Sequence, residues 1–325
     1  MKVLVIGGAG YIGSHAARVL RKHGHEVVIF DDLSTGFEFL ARGFEFIRGD
    51  LGDVARVKPA LQRVDAVMHF AAYAYVGESV TNPRKYFHNN VESALNLLNA
   101  IVDVGVRPFV FSSTCAVYGV PAKVPMNEDT VRQPINPYGV SKLFLEQALE
   151  AYSRAYGLRF AALRYFNAAG ADDSGEIGEL HNPETHLIPL ALAATDDDAP
   201  ALKVFGDDYP TPDGTCIRDY IHVNDLAEAH VIALNRLAGG AESFAVNLGT
   251  GQGCSVLEII QTAEQVTGKK VRRTMGPRRP GDPPALVADS SKAQQLLQWK
   301  AKYSLHDIVS TAWNWAQRVP AMAER

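Results

Sequence analysis

The chain has few cysteines, little net charge and no long basic run. Its 325 residues include three cysteines, Cys115, Cys216 and Cys254. Because these lie far apart, they argue against a disulfide framework or a cysteine-based zinc site, and we expect no metal site. The formal net charge is −4, so the charge pattern indicates neither nucleic acid nor an anionic membrane as a partner.

Long apolar runs are also missing. The first one, Val3 to Ile6, stops at a glycine, and no later run is long enough to cross a membrane. With 47% hydrophobic and 21% charged residues, the chain can bury a large core in one large or two closely joined domains. We therefore expect a soluble, cytoplasmic protein with no membrane partner.

What is present begins with a glycine-rich turn. A β-rich run, Lys2 to Ile6, is followed by three spaced glycines, Gly7, Gly10 and Gly13, and then by an amphipathic stretch from Ser14 to His23. Glycines also make ordinary turns. Here, however, they stand between a predicted strand and a predicted helix, where they allow a pyrophosphate to approach the helix N-terminus. The order predicts a dinucleotide site.

The second predicted strand, Glu26 to Asp31, ends in a carboxylate that we expect to bind a ribose diol. Asp31 and Asp32 would repel a 2′-phosphate, and residues 33–36 offer no arginine to receive one. The sequence therefore favours NAD over NADP. Asp50, after another apolar run, suits either an adenine contact or a turn or helix cap.

Apolar segments alternate with helical patterns along the first half of the chain, as a Rossmann-like, doubly wound parallel sheet requires. The predicted strands are 2–6, 26–31, 44–48, 66–70, 107–112 and 159–165, and the longest predicted helices are 84–104 and 137–156.

Beyond Asn167 the pattern is irregular. Residues 170–186 and 205–214 are rich in Gly, Pro, Asp and Asn, which indicates loops that close over a ligand. We expect an NAD-binding domain of residues 1–166 plus about 217–246. A smaller, irregular α/β domain of 167–216 and 247–325 would bind the substrate.

Tyr138 and Lys142 lie four residues apart in a predicted helix. Asn136 suits the N-cap and Pro137 the first helical position, so both side chains share one face. A nearby ammonium and a cationic nicotinamide ring would favour the Tyr138 phenolate, which could deprotonate a substrate hydroxyl. A surface tyrosine and lysine that merely share a face are the alternative.

Taken together, these motifs resemble the extended short-chain dehydrogenase/reductases, and most closely their UDP-hexose 4-epimerases, over nearly the whole chain. The matching segments are 7–13, 69–72, 76–79, 89–91, 112–114, 138–142, 165–167, 218–223 and 278–282.

The resemblance implies that Thr114, Tyr138 and Lys142 are catalytic. Tyr138 and Thr114 would share the proton of the sugar 4-OH while C4 passes a hydride to enzyme-bound NAD, and return of the hydride to the opposite face of the 4-keto sugar would invert C4. Related dehydratases place acidic residues after the catalytic hydroxyl. This chain has Cys115 to Val117 there, which argues against dehydration.

The resemblance also implies the binding residues and a homodimer formed through the two long helices. The NAD-binding set is Gly7, Gly10, Tyr11, Ile12, Gly13, Asp31, Asp32, Ser34, Asp50, Leu51, Phe70, Ala71, Ala72, Asn89, Ser112, Tyr138, Lys142 and Tyr165. The UDP-sugar set is Thr114, Asn167, His186, Leu187, Val204, Phe205, Arg218, Tyr220, Arg279 and Asp282. Arginine suits a diphosphate because its planar fork donates in pairs.

Three positions bear on how far the resemblance carries. Ala74 stands where many members have a lysine that contacts the cofactor, and His186 stands where an asparagine is common. Leu286 occupies a position whose bulk affects acceptance of an N-acetyl group. A UDP-xylose/UDP-arabinose 4-epimerase remains an alternative, as does an NAD-dependent sugar-nucleotide dehydrogenase. A catalytically silent sensor would show damage at Thr114, Tyr138 or Lys142, and none is present.

Overall fold

A computed structural model describes residues 1–279 and 281–319. Its main feature is a parallel sheet with the strand order β10-β6-β5-β4-β1-β2-β3. These strands are β1 (Lys2–Ile6), β2 (Glu26–Asp31), β3 (Glu45–Arg48), β4 (Ala66–His69), β5 (Pro108–Thr114), β6 (Arg159–Tyr165) and β10 (Phe244–Leu248). The order reverses between β1 and β4, where Ile6 pairs with His69. Such a switch point opens a crevice at the carboxyl ends of the strands.

Helices cover both faces of this sheet, as the alternation predicts. They are α1 (Tyr11–Lys22), α2 (Val54–Leu61), α3 (Val76–Thr81), α4 (Pro83–Phe87), α5 (Ala94–Val104), α6 (Pro137–Tyr156) and α8 (Val223–Ala238). Val3 and Val5 of β1 join one buried cluster with α1 and α8, whereas Leu4 and Ile6 join another with α2, α5 and α6. Alternate strand residues thus fill two cores, one on each face.

A second, smaller unit lies at the carboxyl side of the chain. Its strands are β7 (Asn167–Ala169), β8 (Leu202–Phe205), β9 (Ile217–His222), β11 (Gly253–Ser255), β12 (Arg273–Gly276) and β13 (Ala285–Leu286), and its helices are α7 (Leu187–Ala193), α9 (Val256–Thr267) and α11 (Leu305–Ala316). Helix α10 (Ser291–Leu297) instead packs in the core of the large sheet with α1 and α8. β9 pairs with β7, β11 and β13. The segment 217–222, which we assigned to the NAD-binding domain, therefore lies in the smaller sheet, and the chain returns to the large sheet through α8 and β10.

The two long predicted helices have different outcomes. α6 covers residues 137–156 as predicted, with Asn136 accepting a hydrogen bond from the Gly139 N–H at 2.8 Å and Gly157 ending the helix in the left-handed conformation. The predicted helix 84–104 is interrupted by a π-helical turn at His88–Ser93 between α4 and α5. Such turns are frequent at functional sites. Within the described residues, no helix is long and apolar enough to cross a membrane.

Candidate functional site

The glycine loop between β1 and α1 is packed so tightly that side chains are excluded. A Cβ on Gly13 would lie 2.2 Å from the Gly7 carbonyl oxygen, and one on Gly7 would lie 2.5 Å from the Ala71 nitrogen. Gly7 also has a φ of +78°. A Cβ on Gly10, by contrast, would meet only the Gly7 oxygen, at 3.4 Å. The loop thus packs tightly against the protein backbone at Gly7 and Gly13, and it leaves space for another group at Gly10.

The first turn of α1 is available to an anion. Its N-cap is Gly10, which makes no side-chain capping bond, so the first N–H groups of α1 have no side chain to cap them. Asp31 lies beside the loop and is 8% exposed. Its carboxylate accepts from the Ala9 and Leu33 N–H groups, both at 2.9 Å, while burial raises its pKa.

Several other predicted cofactor residues follow the carboxyl ends of strands β4, β2 and β3. Phe70, Ala71 and Ala72 follow β4 directly, across the switch point from Gly7. Exposed Asp32 accepts from the Ser34 N–H at 2.8 Å. Asp50 accepts from the Gly52 N–H at 2.7 Å and so caps a turn. The remaining side chains are partly or fully buried: Tyr11 donates to the Gly170 carbonyl at 2.6 Å, Ile12 and Leu51 pack on the core, and Asn89 donates to Asn90 at 3.0 Å.

Thr114, Tyr138 and Lys142 converge at the carboxyl end of β5. Thr114 is the last residue of β5, which extends two residues beyond the predicted strand end at 112, and it pairs with Tyr165 of β6. The Lys142 ammonium donates to the Ser112 carbonyl at 2.8 Å and lies 5.9 Å from the centre of the Tyr138 ring. The Ser112 hydroxyl is hydrogen-bonded to the Tyr165 phenol. Helix α6 therefore presents both catalytic candidates to the strand that carries the third.

Burial opposes charge on both α6 side chains. It raises the pKa of Tyr138, an effect that Tyr165 strengthens and the Thr114 hydroxyl opposes. Burial also lowers the pKa of Lys142 to about 7. The described side chains alone therefore favour a neutral phenol and a readily deprotonated amine. Phenolate at Tyr138 requires a further positive charge beside it.

A buried ionic network lies under this site, and the sequence analysis did not predict it. Glu146, one turn after Lys142 on α6, is 1% exposed. It accepts from the Ser113 hydroxyl at 2.5 Å and from Arg164 at 2.7 and 2.9 Å. It thereby ties α6 to β5 and β6. The four-residue step from Lys142 is the signal that could have revealed it.

One phosphate candidate, Arg218, lies on the smaller sheet, and the other, Arg279, lies between β12 and β13. Arg218 of β9 donates to Asp282 at 2.6 Å and has an 11% exposed side chain. The Arg279 guanidinium lies 4.1 Å from the centre of the Phe205 ring. Leu286 pairs with Arg218 across β13 and β9. The structure thus brings Arg218, Asp282 and Leu286 together from segments more than sixty residues apart.

Other predicted substrate residues differ in their access. The Asn167 amide donates to the Asp219 carbonyl at 3.2 Å, and Tyr220 is partly buried with a pKa raised by burial. Leu187 begins α7. The Val204 side chain is 1% exposed and packs in the core of the smaller unit, so a ligand could meet only its main chain. Ala74 is exposed and supplies no cation.

His186 belongs to a group that the sequence analysis missed. Its ring lies with Glu179, His181 and Glu184, and one nitrogen or oxygen from each residue lies within 4.8 Å of all the others. We call these four residues the Glu/His cluster. The regular spacing Glu-x-His-x-x-Glu-x-His is the signal that could have revealed it.

Known proteins resemble this chain over nearly its whole length. Residues 3–249 match the model of the NAD dependent epimerase/dehydratase family. The chain is 49% identical to a UDP-glucose 4-epimerase of Lactobacillus helveticus, with 98% of each chain covered. A structure of UDP-glucose 4-epimerase from Brucella ovis in complex with NAD has a TM-score of 0.94 and 51% identity, and covers 96% of this chain and 97% of its own. One from Stenotrophomonas maltophila, with bound NAD and formylated UDP-arabinopyranose, has a TM-score of 0.95, 44% identity and 99% coverage of both chains.

Proposed function

The chain belongs to the NAD dependent epimerase/dehydratase family, among its UDP-glucose 4-epimerases, and we propose that Thr114, Tyr138 and Lys142 carry its reaction. It is an NAD-dependent isomerase that interconverts UDP-galactose and UDP-glucose through a transient 4-keto sugar. The convergence of Tyr138 and Lys142 of α6 on Thr114 of β5 is the observation that carries the assignment of roles.

The glycine loop fits a dinucleotide. Gly7 and Gly13 leave no room for side chains, Gly10 leaves space, and the uncapped first turn of α1 suits a pyrophosphate. Bound NAD supplies an acceptor, and then a donor, for the hydrogen at C4 of the sugar. We propose that Asp31 binds the adenosine ribose and that residues 1–166 form most of this site.

Proton transfer falls to the chain's own residues. Tyr138 takes the 4-OH proton and returns it after the ketone has presented its other face, and Thr114 shares that proton. Because burial favours the neutral phenol, the phenolate would need positive charge beside it, part of which the nicotinamide ring of bound NAD would supply. Lys142, held by the Ser112 carbonyl, adds an ammonium when protonated.

On the substrate side, we propose that Arg218 and Arg279 bind the diphosphate. Arg218 is already paired with Asp282, so a UDP-sugar would share its guanidinium with that carboxylate or displace it. We propose that Asp282 binds the uridine ribose. This role is compatible with the Arg218–Asp282 pair, because the ribose lies next to the diphosphate that Arg218 would bind. We further propose a cytoplasmic homodimer formed through the two long helical segments, 84–104 and 137–156. Light scattering in solution tests this proposal.

The relative that binds formylated UDP-arabinopyranose favours pentose epimerisation as a second candidate. Proton NMR of the purified protein, with UDP-galactose and UDP-arabinose supplied separately and no added NAD, follows the anomeric signals of both epimers. We expect UDP-glucose to form from UDP-galactose. Faster turnover of UDP-arabinose would move the assignment to the pentose, and accumulation of NADH after NAD is added would indicate a dehydrogenase.

A further inference from the structure

The Glu/His cluster has the composition and geometry of a metal site. His181 Nδ1 lies 3.3 Å from Glu179 Oε1 and 3.5 Å from Glu184 Oε2. His186 Nδ1 lies 2.9 Å and 2.8 Å from the nearest oxygens of the same two carboxylates. Donors bound at zinc distances to one tetrahedral ion stand roughly 3.3 Å apart. Both histidines thus present Nδ1 to the same pair of carboxylates. The two His181 distances match the spacing that a shared ion would impose, whereas the two His186 distances are shorter and have the length of hydrogen bonds.

Hydrogen bonds between the side chains do not fully account for the cluster. His181 Nδ1 is shielded from solvent yet makes no hydrogen bond to any described residue, although two carboxylate oxygens lie near it. The Glu179 side chain is only 7% exposed. Two carboxylates brought together out of water need positive charge between them. His186 Nδ1 is hydrogen-bonded to Glu184 Oε1 at 2.8 Å, so His181 Nδ1 is the atom of the cluster that the side-chain hydrogen bonds leave without a partner among the described residues.

The protein holds these ligands in place from outside the cluster. The Glu179 carbonyl accepts from the Trp315 indole N–H at 2.7 Å. Glu184 Oε1 accepts from the N–H groups of Thr185 and His186, at 2.7 and 2.8 Å, which leaves Oε2 for an ion. Tyr75 donates to the Pro183 carbonyl at 3.2 Å. Such outer contacts orient ligands and are typical of metal sites.

We propose that Glu179, His181, Glu184 and His186 bind one Zn²⁺ ion that fixes residues 179–186 against α7. Two imidazoles and two carboxylates suit Zn²⁺, whereas Mg²⁺ and Ca²⁺ prefer oxygen ligands alone. Four protein ligands close the coordination shell, as in structural rather than catalytic sites. The ion thus lies outside the chemistry at Tyr138, and His186 acts on the substrate by positioning Leu187 at the start of α7.

Protonated histidines are the competing explanation. Burial disfavours charge on His186, but the hydrogen bonds and charges of Glu179 and Glu184 outweigh it and raise its pKa to about 10. A proton on each ring would then neutralise the carboxylates without metal. The two explanations differ in whether the folded protein takes up a stoichiometric ion.

The test uses untagged, full-length protein from zinc-supplemented growth, with metal measured by inductively coupled plasma mass spectrometry after dialysis. We expect about one zinc per chain in the wild type and a thermal midpoint that falls on chelation and recovers with ZnCl₂. His181→Ala and His186→Ala should lose the ion and the zinc-dependent shift. Because altering an outer contact already costs roughly 10–100-fold in affinity, losing a ligand should weaken chelator-competed zinc binding by more.

His23→Ala is the matched control, because His23 is not part of the cluster and instead pairs with Glu228 at 2.8 Å. This variant should keep the bound zinc and the zinc-dependent thermal midpoint. Wild-type protein with no stoichiometric zinc and no zinc-dependent midpoint would overturn the proposal even if the variants fail to fold. Zinc retained in folded His181→Ala and His186→Ala would place the ion elsewhere and overturn it too. Epimerase activity that survives chelation is expected and keeps this result separate from the proposed catalytic roles.

Discussion

The cofactor side and the substrate side of this protein are built from different materials. The cofactor side is shaped by backbone: a Cβ on Gly13 would lie 2.2 Å from a carbonyl oxygen, and the first turn of α1 carries no side-chain cap. The substrate side is shaped by charged side chains, with Arg218 on Asp282 at 2.6 Å and two carboxylates against two histidines in the Glu/His cluster.

This difference indicates which substitutions can change ligand specificity. A backbone site depends on a few glycines and tolerates little, whereas pairs of side chains can be exchanged one at a time without altering the fold. We therefore expect substitutions on the cofactor side to act on cofactor retention and rate together. Substitutions on the substrate side should act mainly on substrate affinity.

Removing the proton-transfer group gives the largest expected effect. Tyr138→Phe should lower kcat for UDP-galactose conversion by about 10²- to 10⁴-fold, the usual contribution of general acid–base catalysis. The fold and the bound NAD should be retained, because only a hydroxyl is lost. Measurement of kcat alongside the absorbance of released NAD checks both points.

Tyr156→Phe is the matched control for that change, since Tyr156 lies on the same helix with its side chain exposed. Its turnover should equal that of the wild type. Near-normal turnover in Tyr138→Phe would show that Tyr138 is not the proton-transfer group. The assignment of the chemistry to the site between the cofactor side and the substrate side would then be wrong.

Crowding the glycine loop comes next. Gly13→Ala forces a Cβ against the Gly7 carbonyl, and overpacking of this kind costs about 1–3 kcal/mol. We expect a lower thermal midpoint and loss of NAD from the purified protein. Gly77→Ala is the control because a Cβ there has no described atom within 4 Å. Full NAD content in Gly13→Ala would show that the loop can open, and the backbone description of the cofactor side would be wrong.

The same difference explains what the sequence could predict. The strand, glycine turn and Asp31 lie within the first thirty-one residues, and Tyr138 with Lys142 lies within one helix, so local spacing identifies them. Arg218 and Asp282 meet only because β9 pairs with β13. Patterning alone cannot predict that pairing; the family resemblance implied only that both residues bind the UDP-sugar. The π-helical turn at 88–93 and the Glu146 network depend on tertiary packing and were missed.

On the substrate side, Arg218→Ala should weaken UDP-sugar binding by about 10- to 100-fold, since hydrogen bonds to charged groups contribute about 1.5–3 kcal/mol. KM should rise more than kcat falls, and NAD content should not change. Arg63→Ala removes a surface arginine that pairs with Glu45 at 2.6 Å, and should leave KM unchanged. A loss of NAD from Arg218→Ala would show that the two sides are not separable.

The smallest expected effect is at Asp31, where a side chain supports the backbone loop. Its carboxylate accepts from the Ala9 and Leu33 N–H groups, and each such bond contributes about 0.5–1.5 kcal/mol. Asp31→Ala should therefore weaken NAD binding about tenfold, and it should relax discrimination against NADP because a charge that repels the 2′-phosphate is gone. Titration of NAD-depleted protein with each dinucleotide measures both effects. The same titration of Asp32→Ala, which removes the exposed neighbouring carboxylate, shows which of the two charges discriminates. If only the Asp32 variant changes the preference for NAD over NADP, Asp32 carries the charge that repels the 2′-phosphate. Asp31 would then only hold the backbone through its bonds to Ala9 and Leu33.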